Sequence, residues 1–487
     1  MPPVPAQCWG QSTTLNATAP GPACPQLDLK SSLSQSEDCL FLNVFSTLPA
    51  KPVPVMVWVY GGSSTDGSTE TYGAIQNLVS LLNGEIVLVA FNYRLNSFGY
   101  FALKELSAAD PRHVSGNYGV LDCQLALHWV QQHIASFGGD PRRVTVFGQS
   151  SGGTQILGLL ASPGSRGLFA SAISLSGSPN ITMSLDVMEQ QGLQFVEAAG
   201  CANSSDVLSC MYALDTQQLR IATPQHWSYE GNFAADTVTP HPALYPGLVI
   251  ADGVTVTPLP SALRAGVMDV PVIIATVQCE DGEPDNVVNW SRADFNQFCS
   301  KQFSTWPAPV APGMQSLYAD LADKDAGYAY SKMESDVNMA CGSAAITVTA
   351  GQGFSAPVYL AMNTHWPSHA IYDSPSHSGT PRRFPYHTWD TSCAFETWGG
   401  YDSTGQPWKP EVSDVAYGEH LRQLWLALAR DGRLPSQFKT VNDIAGFPKS
   451  YNTLLLSNTV TSVANYNTEL CATLESYGFD QKFWWVN

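Results

Sequence analysis

The chain runs to 487 residues, enough for one large α/β domain or two or three smaller ones. Hydrophobic residues make up 44% and charged residues only 13%, which supplies a core and excludes a largely disordered chain. The formal net charge of -18 argues against nucleic acid or an anionic membrane surface as a partner, since neither attracts an acidic excess.

In chain order, the first forty residues are rich in Pro, Ser and Cys and read as loop. The opening "MPPVPAQCWG" has no basic or apolar signal region, so no signal peptide is expected in this chain. "CLFLNVF" (Cys39–Phe45) alternates as a strand does. "VPVMVWVY" (Val53–Tyr60) and "EIVLVAFNY" (Glu85–Tyr93) are near-continuous apolar runs, the pattern of strands covered on both faces. "GAIQNLVSLLN" between them reads as a helix. Gly119–Ser136 places Leu121, Leu125 and Trp129 at helical spacing, "FGGDPRR" reads as a turn, and "VTVFG" as the next strand. This rhythm of strand, helix and strand predicts a mainly parallel sheet with crossover helices. Later come the strands "PVIIATV" (Pro271–Val277) and "APVYLAMN" (Ala356–Asn363), then a helix over His420–Leu434 with Gly432 near its end. No internal repeat or linker stands out, and no apolar run approaches the ~20 residues of a membrane span. One elaborated domain over 1–487 is the simplest organisation.

"GQSSG" fits G-x-S-x-G with Gly148, Ser150 and Gly152, and it lies between a strand and the helix-forming "TQILGLLA". A serine on such a sharp turn is exposed, and the helix beginning there favours developing negative charge. "WVYGGSSTDGS" follows the first buried strand, so the N–H groups of Gly62 and Ser63, with that of Ser151, are candidate oxyanion donors. Two cysteine pairs at short spacing, Cys24 with Cys39 and Cys201 with Cys210, would close small loops if oxidised. Together with the sequons at Asn16, Asn180, Asn203 and Asn289 they favour a secretory route.

With these pieces in order, the chain resembles the type-B carboxylesterase/cholinesterase family of α/β-hydrolases. "SEDCLFLNV" resembles that family's EDCLxLNV signature, and the stretch from "NYGVLDCQ" to "VFGQSSGG" resembles its nucleophile block. The resemblance implies an α/β-hydrolase fold: a mainly parallel central sheet flanked by helices, with elaborated loops and helical insertions. It also implies a triad of Ser150, an acid and a histidine. "VIIATVQCEDGEP" offers Glu280, with Asp281 as the adjacent alternative. "FPYHTWDTSCAF" offers His387 and Asp390, although Thr388 stands where the family has glycine; His365, His369 and His377 are rivals nearby. Ser176 matches a family serine that hydrogen-bonds the triad acid, and Met183 a position lining the acyl pocket. The pairs Cys24–Cys39, Cys201–Cys210 and Cys341–Cys471 match the family's disulfides. Cys123 is expected to be a free buried thiol, and Cys8, Cys279, Cys299 and Cys393 have no assigned pairing.

Two departures bear on substrate. The loop "PQLDLKSSLSQSED" lacks the aromatic residue that cholinesterases use for choline, and it is too short and polar for a lipase lid. Gln149 stands beside the nucleophile where relatives place glutamate, which implies weak preference for cationic esters. The family begins earlier than this chain, which is therefore expected to be N-terminally shortened. The resemblance implies a serine carboxylic-ester hydrolase for neutral small to medium esters, with no metal or organic cofactor. The alternatives are a non-catalytic cholinesterase-like binding or adhesion module, and a lipase.

Overall fold

The structure, a computed structural model, describes residues 1–5, 17–26, 33–181, 183–223, 248–280, 287–377 and 379–479. Among these, nine strands form one sheet: β1 (Leu42–Phe45), β2 (Val53–Val59), β3 (Val87–Phe91), β4 (Gly139–Gln149), β5 (Ser171–Leu175), β6 (Val272–Val277), β7 (Val358–Asn363), β8 (Asn452–Leu456) and β9 (Val460–Ala464). Their order is β1-β3-β2-β4-β5-β6-β7-β8-β9. All inner pairings are parallel, and only the outer pairs β1–β3 and β8–β9 are antiparallel. The apolar runs explain this placement: every residue of β3, β5, β6 and β7 is buried, so helices must cover both faces. β9 at the edge is exposed or half-buried throughout.

The covering helices include α1 (Tyr118–His133), α2 (Ser151–Leu160) and α3 (Leu185–Ala198). Further along come α4 (Ala326–Ser335), α5 (Cys341–Gly353), α6 (Trp389–Phe395), α7 (Val412–Asp431) and α8 (Thr468–Ser476). α7 buries Leu421, Leu424, Trp425 and Leu428 and stops at Gly432, whose φ of 65° is the left-handed turn that glycine adopts at least cost. A second apolar cluster, with Phe295, Met314, Tyr318 and Tyr330 at its centre, also takes in Phe479 from beyond α8.

The sheet order places the site. β2 has β3 on one side and β4 on the other, so the connections leaving its neighbourhood run in opposite directions. The carboxyl ends of strands at such a switch point flank a crevice, the usual ligand position in open α/β sheets.

Some boundaries differ from the sequence reading. Cys39 lies outside β1, and the helix expected in "GAIQNLVSLLN" is confined to Asn77–Leu81. "GDPRR" is part of β4 rather than a turn. Pairing with β2 jumps from Val53–Gly139 to Val55–Val144, and the residues between bulge outward while Asp140 holds Arg142 and Arg143. The helix expected over His420–Leu434 starts at Val412, where Glu411 and Asp414 form a reciprocal cap, and ends before Leu434. Disulfides join Cys24–Cys39, Cys201–Cys210 and Cys341–Cys471. Cys123, Cys299 and Cys393 are buried thiols, Cys279 is buried, and Cys8 lies outside the described residues.

Candidate active site

Ser150 joins β4 to α2 with φ 61° and ψ -132°, a backbone region that side chains adopt only when the surroundings enforce it. The surroundings are tight. A Cβ on Gly152 would stand 2.1 Å from the Val59 carbonyl oxygen, and one on Gly148 would stand 2.5 Å from the Gly152 carbonyl oxygen. Both glycines are therefore needed for α2 to start against the end of β2. The Ser150 N–H donates to the Leu175 carbonyl at 2.9 Å, and its own carbonyl accepts the Thr154 N–H at 3.0 Å. The backbone is held, and the residue is buried at 7% exposure, not exposed as the sharp turn suggested, because the Gly61 turn packs against it.

The turn after β2 meets this elbow. A Cβ on Gly61 would stand 2.6 Å from the Ser150 Cβ, so the two backbones are in contact. Gly62 and Ser63 follow with φ of 125° and 52°, and the Gly62 carbonyl accepts the N–H groups of Thr65 and Asp66. Among the described residues, no acceptor takes the N–H of Gly62, Ser63 or Ser151. Donors left in this way on a turn touching the elbow are the kind of group that can take a developing negative charge.

Across β5, the end of β6 carries Glu280, which is 2% exposed. His387 Nδ1 donates to Glu280 Oε2 at 2.7 Å, while Oε1 accepts from Ser176 Oγ at 2.8 Å and from the Val277 N–H at 2.9 Å. The two loops run side by side: Cys279 N–H donates to the Pro385 carbonyl, and His387 N–H to the Glu280 carbonyl. That short ladder fixes the imidazole on the carboxylate. Asp281 lies outside the described residues. The rival histidines have other partners: His365 pairs with Asp414 at 2.8 Å, His369 stacks on Trp408, and His377 bonds the Asp402 carbonyl at 3.0 Å.

Thr388 has a φ of 76°, a left-handed conformation that glycine adopts at lower cost than threonine. Asp390 is fully buried; burial, then the neighbouring charge of Glu280, pushes its carboxyl up to about 7. Gln149 is also fully buried, and its Oε1 accepts the Tyr72 hydroxyl at 2.5 Å. Met183 is half-buried and packs against the core.

Some residues of the site carry no sequence signal. Ser335, in α4, accepts the Glu280 N–H at 2.5 Å and donates to the Ser331 carbonyl. Tyr72 reaches Gln149 from outside the elbow motif. Neither residue could be found from local spacing, because each contact is made only by the tertiary fold.

The chain matches the family described as "Carboxylesterase family" over residues 1–469. It is 40% identical over 238 residues to the para-nitrobenzyl esterase of Bacillus subtilis, a match covering 46% of this chain and 47% of that protein. Carboxylesterase 1E of Mus musculus is 33% identical over 287 residues, covering 54% of this chain and 48% of that protein. The chain thus spans about half the length of the curated relatives it matches. A solved structure of a PNB esterase superposes with a TM-score of 0.70 at 24% identity, over 94% of this chain and 88% of that one, which establishes the α/β-hydrolase fold. By the extent of these matches, the chain belongs to the carboxylesterase family.

Proposed function

We propose that this chain is a serine carboxylic-ester hydrolase acting through Ser150, His387 and Glu280 as one catalytic unit. Ser150 Oγ attacks the ester carbonyl carbon as its proton passes to His387. Collapse of the tetrahedral adduct breaks the bond to the alcohol, which leaves with that proton, and an acyl group remains on Ser150. Water then repeats the sequence and releases the acid. Glu280 orients the ring and stabilises its charged form. The N–H groups of Gly62, Ser63 and Ser151 take the oxyanion. The observation that carries this reading is the strained Ser150 standing beside three N–H groups that no described acceptor uses.

The substrates we infer are neutral esters of small to medium size, with Met183 at the acyl side. The neutral Gln149 adds no negative charge next to the nucleophile. The loop without an aromatic residue lies partly outside the described residues. We also infer a secretory route with glycosylation: Asn203 and Asn289 are exposed, Asn180 is half-buried, and Asn16 lies outside the described residues. Among the described residues, no helix is long and apolar enough to cross a membrane.

The test is turnover of a panel of p-nitrophenyl esters of increasing chain length and of choline esters, with labelling by a fluorophosphonate probe. Wild type is expected to label and to prefer neutral short to medium esters. Ser150→Ala and His387→Ala are each expected to lose about 10⁴-fold or more in kcat/KM. A folded wild-type chain that neither labels nor turns over any ester would instead be a binding module. Activation by emulsified long-chain substrate would make it a lipase.

A further inference from the structure

The turn from Gly61 to Gly67 offers catalytic N–H groups, yet it belongs to no strand or regular helix, so something outside it must fix its direction. Buried side chains do this along its length. At the start, the Tyr93 hydroxyl donates to the Tyr60 carbonyl at 2.9 Å while the Tyr60 hydroxyl donates back to the Tyr93 carbonyl at 3.2 Å; the rings stack at 4.6 Å. In the middle, Asn96 donates its N–H to the Ser64 carbonyl at 2.7 Å and its amide to the Thr65 carbonyl at 3.3 Å.

The end of the turn is held differently. Gln26 grips both backbone groups of one residue: its Oε1 accepts the Gly67 N–H at 2.8 Å, and its Nε2 donates to the Gly67 carbonyl at 2.9 Å. The second Nε2 proton goes to the Cys24 carbonyl at 2.9 Å, and the Gln26 N–H goes to Gln35 Oε1 at 2.8 Å. Gln26 is fully buried, so water does not compete for these bonds. Gly67, at φ 114°, has no room for a side chain and packs against the start of the turn: a Cβ there would stand 2.6 Å from the Gly61 carbonyl oxygen and 2.7 Å from the Tyr60 ring. Gly67 therefore transmits the grip directly to Gly61, which touches Ser150. On the other side, Gln26 lies two residues from Cys24, whose disulfide to Cys39 closes the loop. Asn96 also donates to the Pro25 carbonyl at 3.0 Å, tying the same segment down.

We propose that Gln26 is a positioning residue for the oxyanion turn, through which the Cys24–Cys39 loop supports the reaction without touching substrate. The inference rests on the ester-hydrolase reading above. Its signature is loss of transition-state binding without loss of ground-state binding, because the turn's N–H groups bond strongly only to the oxyanion.

The test is Gln26→Met, which keeps the volume and removes both bonds to Gly67. Active sites are counted by fluorophosphonate titration, so that each constant is per functional site. Per-site kcat/KM is expected to fall by about 10- to 100-fold, with KM within about twofold. The inhibition constant of an aryl trifluoromethyl ketone, whose adduct with Ser150 bears an oxyanion, is expected to rise by the same factor. A merely structural role would lower the number of active sites and leave the per-site constants alone. Per-site kcat/KM and ketone affinity both within twofold of wild type would overturn the proposal. If Gln26→Met does not fold, Gln26→Glu, which keeps an acceptor for the Gly67 N–H, takes the same measurements. Failure of both to fold would also overturn it, since Gln26 would then serve folding rather than the reaction. An inactive, unlabelled wild type would instead remove the ester-hydrolase reading itself.

Discussion

Glu280 accepts from Ser176, from the Val277 N–H and from His387, whereas Asp390 has the Thr391 N–H at 2.8 Å and the Asn363 amide at 3.3 Å. Asp390 keeps its proton up to about 7 because burial, then the neighbouring Glu280, opposes its charge. Folding raises this carboxyl above its ordinary value, so the folded state binds the proton more tightly. The resulting stabilisation is complete below about pH 4 and is lost as pH rises through about 7. Asp390→Asn removes that dependence. Its stability relative to wild type is expected to improve by about 1.4 kcal/mol per pH unit between pH 4 and 7. Urea denaturation of both proteins at intervals across that range measures the difference, and parallel profiles would refute the assignment. Thr388, at φ 76° between His387 and Asp390, is strained in a way its neighbours enforce.

At the scale of elements, the elbow is a packing event between α2 and the end of β2. Gly152→Ala would drive a Cβ into the Val59 carbonyl, so α2 must move and take Ser150 with it. That variant is expected to lose about 1–3 kcal/mol of stability together with most of its activity. Gly158→Ala, in the same helix but meeting only side-chain methyls of Val249 at 3.2 Å and Val120 at 3.8 Å and no backbone, is the milder control expected to stay within about 1 kcal/mol. Thermal melting with esterase assay separates the two; equal tolerance at both sites would sink the packing argument. The parallel strands β2, β3, β6 and β7 were legible as apolar runs because burial on both faces leaves no alternation to misread, whereas the five-residue β5 and β8 carry apolar runs too short to stand out. The first half of β4 was not, because "GDPRR" carries the residues of a turn and pairs only through a bulge. The Ser150 elbow and the glycine turn after β2 were singled out as local motifs, and the Glu280–His387 contact was expected through the family resemblance. Ser335, Tyr72 and Gln26 were not, because their contacts cross 55, 77 and 41 residues of sequence and no spacing rule reaches so far.

At the scale of the whole molecule, one of the three crosslinks among the described residues has reach that the other two lack. Cys341 and Cys471 are 130 residues apart, and the loop they close holds β7, His387, α7, β8 and β9. Within that loop, Asp373, Pro375, Ser376 and His377 are exposed, a segment open to a non-specific protease. A single cut there divides the chain so that Ser150 and Glu280 fall in one fragment and His387 in the other. The fragments remain covalently joined, and β7 and β8 still pair across the cut. Limited digestion is therefore expected to leave one band near 52.5 kDa on a non-reducing gel, two bands after reduction, and esterase activity that survives nicking until thiol is added. Separation of the fragments without reductant would contradict that linkage.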